Sequence, residues 1–306
     1  MTTDPRPYRG RFAPSPTGAL HFGSLVAAVA SYLDARTRQG QWLMRMEDLD
    51  PPREVPGAAD DILRTLEAFG FEWDGPVVYQ SQRQEAYQQA AQQLLEQAHA
   101  YECACSRREI TLAGRMGEEG PIYPGTCRPG LPAGRQPRSL RIRTHAGVIG
   151  FHDRIQGPVR QSIEKETGDF VIRRADGLFA YQLAVVVDDA WQGITHIVRG
   201  ADLILSTPRQ LYLQSLLGYP SPGYAHLPVV VDDAGNKLSK QAKSMPVDIR
   251  RPLPALRAAF LFLHQAPPEE EPASLDEFWQ WALENWDTGR IPGRRTAPFR
   301  PGGLKD

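Results

Sequence analysis

The sequence predicts an α/β fold built around a parallel β-sheet, interrupted by an insertion and followed by a short helical region. Three observations support this prediction. Residues 8–50 read as strand, helix and strand, and residues 181–200 return to the same apolar pattern. Between them, residues 101–138 are rich in Gly, Pro, Arg and Cys. With 306 residues, of which 41% are hydrophobic, the chain can bury a sizeable core.

The first elements form one strand–helix–strand unit. The segment YRGRFAPS (8–15) predicts a short strand that ends in a proline-rich turn. HFGSLVAAVASYLDARTRQG (21–40) has helical periodicity closed by Gly40, and QWLMRMEDLD (41–50) predicts a second strand. Because such units normally build parallel sheets with a right-handed crossover, this region predicts nucleotide-binding architecture.

Further elements divide the chain into four regions. Two helices, PGAADDILRTLEAFG and SQRQEAYQQAAQQLLEQAHA, precede the insertion. Four segments of the insertion have the pattern of short strands: SLRIRT, VIGFHDRI, GPVRQSI and DFVIRRADG. The parallel sheet is predicted to resume near Tyr181. Two late helices, PALRAAFLFLHQ and SLDEFWQWALENW, precede GRRTAPFRPGGLKD, which predicts a mobile tail. We therefore predict a first half-domain, an inserted domain, a second half-domain and a C-terminal helical region, with bounds 1–100, 101–180, 181–243 and 244–306.

Charge and hydropathy exclude several classes of protein. The chain has 35 Lys and Arg residues against 36 Asp and Glu residues, a formal net charge of -1. Binding of nucleic acid by bulk charge is therefore excluded, and any RNA contact must be local. No apolar run approaches the roughly 20 residues that span a bilayer, and the N-terminus lacks an apolar signal segment. We expect a cytoplasmic monomer with no membrane partner.

Two groups of arginines are candidates for such local RNA contacts. The guanidinium fork suits phosphate, although scattered arginines usually form a solvated face. The groups are Arg128, Arg135, Arg138, Arg141 and Arg143 in the insertion, and Arg290, Arg294, Arg295 and Arg300 near the C-terminus.

The most informative motif is RFAPSPTGALHFGS, residues 11–24, where a strand turns into a helix. A helix N-terminus carries N–H groups without intrahelical partners and a partial positive charge, so it attracts phosphate. Gly18 and Gly23 allow close approach of a ligand, and His21 adds a donor for charge that builds on phosphate. The alternative is a proline-rich turn that caps an ordinary helix, the better interpretation of HFGS alone.

A second motif, NKLSKQ at residues 236–241, follows the apolar segment LPVVV and a DDAG turn. Lys237 and Lys240 are predicted to lie on a loop. Two ammonium groups there could neutralise a triphosphate and stabilise the leaving pyrophosphate in the transition state. A solvated basic loop is the alternative for any single pair of lysines.

Together the two motifs resemble the HIGH and KMSKS signatures of class I aminoacyl-tRNA synthetases, here written HFGS and KLSKQ. RMEDLD, YQLAVVVDDA and ITHIVRGADLILSTPRQ further resemble the glutamyl-tRNA synthetase branch, in the same order. The resemblance implies the Rossmann-like nucleotide-binding domain of class I synthetases. It also implies an ATP-dependent ligase that forms an acyl-adenylate from L-glutamate and ATP with Mg2+. Ser24 and Gln241 depart from the signatures, which leaves phosphate handling open.

The resemblance assigns residues of this chain to each role. His21, Lys237 and Lys240 are implied in catalysis. The residues implied for ATP are Pro14, Thr17, Gly18, His21, Gly23, Ser24, Lys237 and Lys240. The residues implied for glutamate are Arg11, Phe12, Ala13, Pro14, Ser15, Glu47, Tyr181 and Arg199.

The chemistry of glutamate agrees with four of these side chains. Its ammonium needs an anionic partner, for which Glu47 is the candidate. Its carboxylates need cationic or hydroxyl partners, for which Arg11, Tyr181 and Arg199 are candidates, with the two arginines not yet divided between the carboxylates. The alternatives are a capping or surface acid for Glu47 and a surface ion pair for each arginine.

The position of the lysine motif bears on the acceptor. A full glutamyl-tRNA synthetase continues into a substantial anticodon-binding region, whereas this chain ends at residue 306. The short form resembles the glutamyl-Q tRNA(Asp) synthetase family, which implies transfer of glutamate to the queuosine base in the anticodon of tRNA(Asp) and not to the 3' end. The alternatives are a glutamyl-tRNA synthetase fragment that charges a 3' end, a non-catalytic tRNA-binding paralogue, and a nucleotidyltransferase on the same fold.

Three cysteines, all between residues 103 and 127, predict a metal site. Their odd number argues against a disulfide framework, and zinc favours sulfur in tetrahedral geometry. Cys103, Cys105 and Cys127 are the predicted thiolates, and the family pattern C-x-C then Y-x3-C implies Tyr123 as the fourth ligand. The rivals for that position are His99, Glu102 and Glu109. Because no general base is evident nearby, we predict one structural zinc ion; three reduced cysteines in a small core are the alternative.

Overall fold

The computed structural model describes residues 6–232, 235 and 246–299. The predicted positions Lys237 and Lys240 lie outside the described residues, as do Gln241 and Arg300. Within the described part the predicted α/β fold with parallel strands is confirmed. None of the helices in that part is long and apolar enough to cross a membrane.

The first strand–helix–strand unit forms as predicted. It consists of β1 (Arg9–Phe12), α1 (Phe22–Arg36) and β2 (Gln41–Met46), and β1 pairs with β2 in parallel. Ten residues of α1 are buried. Most faces of this helix carry small or branched apolar side chains, so it can pack closely against the sheet. The helix ends four residues before Gly40, and the Gly40 N–H donates back to the Ala35 carbonyl of its last turn over 2.9 Å. Gly40 is required because a Cβ there would lie 2.6 Å from the carbonyl oxygen of Tyr8.

The elements before the insertion extend this sheet. They are α2 (Ala58–Ala68), β3 (Val78–Tyr79) and α3 (Gln84–Glu96). β3 pairs with β2 in parallel, which gives the order β1-β2-β3. α2 and α3 each bury one face, as amphipathic helices on a sheet do.

The insertion is mostly antiparallel, and its four predicted strands are confirmed. Its elements are β4 (Ala100–Cys103), α4 (Arg107–Ala113), β5 (Met116–Gly117), β6 (Gly120–Pro121), β7 (Ser139–Ile142), β8 (Ile149–Asp153), β9 (Gly157–Gln161), α5 (Ile163–Glu166) and β10 (Val171–Arg173). One sheet has the order β10-β7-β4, and β5–β6 and β8–β9 form two hairpins. The boundaries of this region at residues 101 and 180 stay a prediction.

The second half of the parallel architecture begins with α6 (Tyr181–Trp191), as predicted. It continues through β11 (His196–Gly200), α7 (Thr207–Leu217), β12 (Gly223–Leu227) and β13 (Val229–Val231). β11 and β12 pair in parallel. The Thr195 N–H donates to the Arg9 carbonyl over 2.9 Å, which joins the start of β11 to β1 and brings the two halves together.

The C-terminal region contains the two predicted helices, α8 (Pro252–Phe262) and α9 (Leu275–Asn285). The Trp279 indole N–H of α9 donates to the Phe69 carbonyl over 2.9 Å, so this region packs on the first half-domain. The prediction of a mobile tail is wrong for Thr296–Pro298. These residues form strand β14, which pairs with β13 in parallel. The unpaired edge of β13 gives these residues backbone partners that their sequence does not reveal.

Candidate active site

A cavity lies where β1, β2 and β11 end, beside the N-terminus of α1. Its volume is about 490 Å³. Twelve predicted site residues, drawn from both halves of the sheet, line it: Arg11, Phe12, Ala13, Pro14, Ser15, Thr17, His21, Gly23, Ser24, Glu47, Tyr181 and Arg199. Gly18 belongs to the same loop, with φ 136°, but does not line the cavity. The structure therefore brings together all but one of the described residues that were predicted to bind glutamate or ATP.

His21 is the N-cap of α1 and contacts Ser24 with both ring nitrogens. Its Nδ1 accepts the Ser24 N–H over 3.3 Å, and its Nε2 lies 3.0 Å from the Ser24 hydroxyl. One N–H group that the sequence predicts to be available to phosphate is thus occupied by the imidazole. The Val247 N–H donates to the Leu20 carbonyl over 3.1 Å, so the chain after residue 245 returns beside His21.

Glu47 and Tyr181 both line the cavity. The Glu47 side chain is 9% exposed, and burial, opposed by Arg45 and Arg11, raises the pKa of its carboxyl. Burial and the nearby Glu47 charge also raise the pKa of the Tyr181 hydroxyl, which keeps it a neutral donor. An anionic acceptor and a neutral donor in the lining of one cavity suit a zwitterionic ligand.

A buried ion network lies directly behind Arg11 and Glu47. Arg45, fully buried, places its NH2 group 2.8 Å from Asp189 Oδ1 and 3.4 Å from Glu47 Oε1. The Arg11 Nε–H donates to the same Asp189 oxygen over 3.1 Å. Burial opposes ionisation of Asp189, but Arg11 and Arg45 outweigh it and hold its pKa below the usual value. The network fixes the orientation of both side chains that line the cavity.

A second carboxylate, Asp188, completes the network on the side away from the cavity. It accepts from Gln80 over 2.7 Å, from Arg83 over 2.6 Å and from the Tyr87 hydroxyl over 2.7 Å. Asp188 and Asp189 lie within the string YQLAVVVDDA, but no role was predicted for them. Two adjacent acids on an otherwise apolar helix were the available signal, because buried acids require partners.

Arg199 enters the cavity from β11, and its other hydrogen bonds hold it from behind. Its NH2 group donates to Thr207 Oγ1 over 2.9 Å and to Gln210 Oε1 over 2.7 Å. Its Nε–H donates to His226 Nε2 over 3.1 Å, and its NH1 group lies 3.4 Å from the Tyr181 hydroxyl. Thr207 and Gln210 lie within the string ITHIVRGADLILSTPRQ, but no role was predicted for them, and His226 lies outside the family motifs.

The three cysteines come together as predicted, with their sulfurs within 4.8 Å of one another. Cys105 Sγ lies 3.6 Å from Cys127 Sγ, and the Tyr123 hydroxyl oxygen lies 3.4 Å from Cys103 Sγ and 3.5 Å from Cys105 Sγ. Zinc with ordinary bond lengths in a tetrahedron requires about 3.8 Å between sulfurs and about 3.5 Å between sulfur and oxygen. The four side chains therefore fit a single zinc ion.

The rival ligands are engaged elsewhere or face away. Glu109 forms a capping box with Ser106 at the N-terminus of α4, where it accepts the Ser106 N–H. Glu109 also forms an ion pair with Arg135. Glu102 is exposed, whereas Cys103 beside it on β4 is buried, so the two side chains point to opposite faces. In the described part of the chain, the group of possible metal ligands at this place includes no His, Asp or Glu.

Arg141 lies directly beside the cysteine cluster. Its Nε–H donates to Cys103 Sγ over 3.3 Å, and its guanidinium carbon lies 4.0 Å from the centre of the Tyr123 ring. Burial opposes thiolate formation at Cys103, but the Tyr123 and Arg141 hydrogen bonds outweigh it and lower the pKa of Cys103. The interpretation of Arg141 as an RNA contact is wrong, since the side chain is 7% exposed.

The fold and the cavity define a class of protein. A cavity at the carboxyl ends of parallel strands, beside a helix N-terminus, is typical of enzymes that bind nucleotides. Residues 8–252 match the family model for the catalytic domain of class I tRNA synthetases (E and Q). The chain belongs to this family, whose members are ATP-dependent ligases.

The relatives are more specific in name. A Dechloromonas aromatica protein named glutamyl-Q tRNA(Asp) synthetase is 60% identical over 94% of this chain and 96% of its own. A Pseudomonas aeruginosa protein of the same name is 56% identical over 95% and 97%. The crystal structure of a glutamate-tRNA synthetase from Elizabethkingia anophelis, 24% identical, has a TM-score of 0.81 and covers 98% of this chain and 69% of its own. The resemblance to the glutamyl-Q family and the predicted fold are both confirmed.

Proposed function

We propose that the protein activates L-glutamate with ATP and transfers the glutamate to the queuosine base in the anticodon of tRNA(Asp). We also propose that the protein acts as a monomer. The observation that carries the proposal is the convergence of Glu47, Tyr181, Arg11 and Arg199 on one cavity. This set offers one anionic partner for an ammonium and cationic or hydroxyl partners for two carboxylates. Acidic amino acids need this combination, and the names of the relatives support glutamate.

The remaining lining supports ATP as the co-substrate. Gly23 and Ser24 stand at the N-terminus of α1, where backbone N–H groups favour phosphate, and Thr17 and His21 lie beside them. The cavity wall at residues 227–230 is apolar, which suits the face of a purine. Lys237 and Lys240 lie outside the described residues, but the return of the chain beside His21 supports placing them near the phosphates.

The chemistry follows from these positions. The α-carboxylate of glutamate attacks the α-phosphorus of ATP, and pyrophosphate leaves with Mg2+. No side chain forms a bond to the substrate, so the protein contributes position and charge. His21 and the helix N-terminus face one side of the phosphates, and Lys237 and Lys240 are proposed to stabilise the charge on the leaving group.

Pyrophosphate exchange tests the first half of the proposal. The purified chain, without tRNA, is expected to exchange labelled pyrophosphate into ATP in the presence of L-glutamate, and not with aspartate or glutamine. Aspartate is shorter by one methylene, and glutamine lacks the charge that Arg11 and Arg199 would balance. Exchange with another amino acid alone would contradict glutamate as the substrate.

The acceptor is tested with four forms of one tRNA(Asp), with and without queuosine and with and without the 3'-terminal adenosine. The names of the relatives support queuosine. Glutamate is expected to load both queuosine forms and neither of the others. Loading that depends on the terminal adenosine would instead identify an enzyme that charges the 3' end.

We further propose that Cys103, Cys105, Tyr123 and Cys127 hold one structural zinc ion. When bound, it would join β4 to the loop before β7, a segment rich in Gly and Pro that has little core of its own. Burial and the neighbouring sulfurs raise the pKa of the Tyr123 hydroxyl, so it would ligate as phenolate only beside a dication, which lowers that pKa.

Metal analysis checks the zinc site without any assay of activity. Freshly purified, reduced protein is expected to contain about one zinc per chain. Tyr123→Phe is expected to release that zinc at a lower chelator concentration, because one of four ligands is removed. Tyr101→Phe serves as the matched control, since the Tyr101 hydroxyl bonds Asp169 outside the cluster. Equal release from both variants would exclude Tyr123 as a ligand.

A further inference from the structure

A buried chain of hydrogen bonds runs from the β8–β9 hairpin to the cavity. Asp153 Oδ2 lies 2.6 Å from His226 Nδ1, and His226 Nε2 accepts the Arg199 Nε–H over 3.1 Å. Asp153 and His226 are both 0% exposed, and Arg199 is 5% exposed. The carboxylate comes from the insertion, the imidazole from β12 and the guanidinium from β11, so three separate parts of the fold meet here.

The partners of the imidazole fix its tautomer. Asp153 is an acceptor, so His226 Nδ1 must carry the proton. Arg199 can only donate, so Nε2 must be bare. The Thr207 hydroxyl lies 3.2 Å from the same Nε2, where it can act as a second donor. An imidazole between a carboxylate and a donor is held in one tautomer and one orientation, as in other sites where a carboxylate orients a histidine.

The charged groups around His226 favour the neutral ring. Arg199 faces it from β11, Asp153 from β8, and Asp202 from the turn after β11. Burial and the Arg199 charge outweigh the two acids and lower the pKa of His226 to about 4. The ring therefore stays an acceptor for Arg199 at the pH of any activity assay.

We propose that Asp153 and His226 are positioning residues that hold Arg199 in the orientation that binds a carboxylate of glutamate. The inference rests on the proposed function and deepens it. Arg199 has several donors, and its Nε–H would lose its acceptor if the ring proton of His226 moved to Nε2. The guanidinium would then rotate away from Tyr181, with which it shares the cavity wall.

A purely structural role is the competing explanation. Asp153 Oδ1 accepts three backbone N–H groups, those of Ile155, Gln156 and His226. These bonds shape the hairpin turn and attach it to β12. Asp153→Asn separates the two roles, because the amide oxygen can still accept the three N–H groups. Its NH2 group must then donate to His226 Nδ1, which moves the ring proton to Nε2 and sets a donor against Arg199.

The test compares Asp153→Asn with His226→Gln, in which the amide oxygen can take the place of Nε2 as acceptor for Arg199. Steady-state pyrophosphate exchange is expected to show a glutamate KM raised roughly tenfold in Asp153→Asn, with kcat within about twofold of wild type. His226→Gln is expected to raise KM less than Asp153→Asn, although it leaves Asp153 Oδ2 without its donor. His152→Gln, one residue away and exposed, is the matched control and should leave KM unchanged.

The glutamate KM of Asp153→Asn decides between the two explanations. If the pair only shapes the turn, Asp153→Asn will match wild type in KM, and the positioning role is overturned. Nitrogen NMR of the labelled histidines gives a readout that needs no activity. Wild type is expected to show His226 protonated at Nδ1, and Asp153→Asn at Nε2. If wild type shows this tautomer pattern but no glutamate-dependent exchange, the proposed function alone is rejected. If wild-type His226 carries its proton at Nε2, the positioning role of Asp153 and His226 is rejected.

Discussion

Replacing Arg45 by methionine is expected to lower the free energy of unfolding by about 3–5 kcal/mol. Methionine keeps most of the length of the side chain but removes the cation that Asp189, Asp188 and Glu47 surround. Those carboxylates are buried, and removing one partner of a buried ion pair leaves charge without compensation. Burial alone would lower the pKa of Arg45 and favour its neutral form. The three acids outweigh burial and raise that pKa above its usual value, so the cation and the acids stabilise one another.

Urea denaturation followed by tryptophan fluorescence measures this change. Arg64→Met is the matched control, because Arg64 pairs with Asp61 on the exposed face of α2, where an ion pair contributes about 0–1 kcal/mol. A loss of stability in Arg45→Met no larger than that of the control would mean that water or another cation compensates the acids, and the network would not be the support of the cavity that its geometry indicates.

This network also shows where sequence reasoning stops. The elements of the parallel sheet were predicted because apolar periodicity is local: α1 and β2 lie where the pattern of residues 21–50 places them. The cavity lining was predicted because the family motifs are contiguous strings. Arg45 opens the string RMEDLD, but no role was predicted for it. Two of its three acidic partners, Asp188 and Asp189, are more than 140 residues away, and no local pattern pairs them with it.

The positioning pair behind Arg199 escaped prediction for the same reason. His226 sits in the apolar segment YAHLP, where a single histidine reads as a core residue with one hydrogen bond. Asp153 reads as a turn residue in VIGFHDRI, which it also is. Only the docking of the β8–β9 hairpin on β12 brings the two together. Strand β14 was missed because pairing with β13 depends on that edge being available and not on the composition of the tail.

The cysteine cluster is the opposite case. Sulfur ligands are rare and chemically specific, so spacing alone predicted that Cys103, Cys105 and Cys127 would meet, and their sulfurs do. The arginines that follow were harder to interpret. Arg141 is a buried partner of the cluster, whereas Arg138 is exposed. In the sequence alone, both are arginines of the same segment, and nothing indicates which one is buried. Charge predicts a chemical capability, but burial decides what that capability is used for.

Replacing Glu47 by glutamine is expected to lower kcat/KM for glutamate by a factor on the order of 100 to 1,000. Under the proposed function, its carboxylate pairs with the ammonium of the substrate in a largely desolvated cavity. The amide keeps the shape but not the charge, so the ammonium would be buried without an anion. Arg45 also loses one of its acids, but Asp189 at 2.8 Å remains, so the fold should tolerate the change.

The pH dependence of the glutamate KM identifies the group responsible. Burial raises the pKa of Glu47 above its usual value, and a protonated carboxyl cannot pair with an ammonium. KM in wild type is therefore expected to rise as pH falls toward that raised pKa, within the pH range where the carboxylates of free glutamate stay ionised. Glu47→Gln should lose this rise, while Glu67→Gln, on the exposed face of α2, should keep it. A rise that persists in Glu47→Gln would assign the titration to another group and remove Glu47 as the partner of the ammonium.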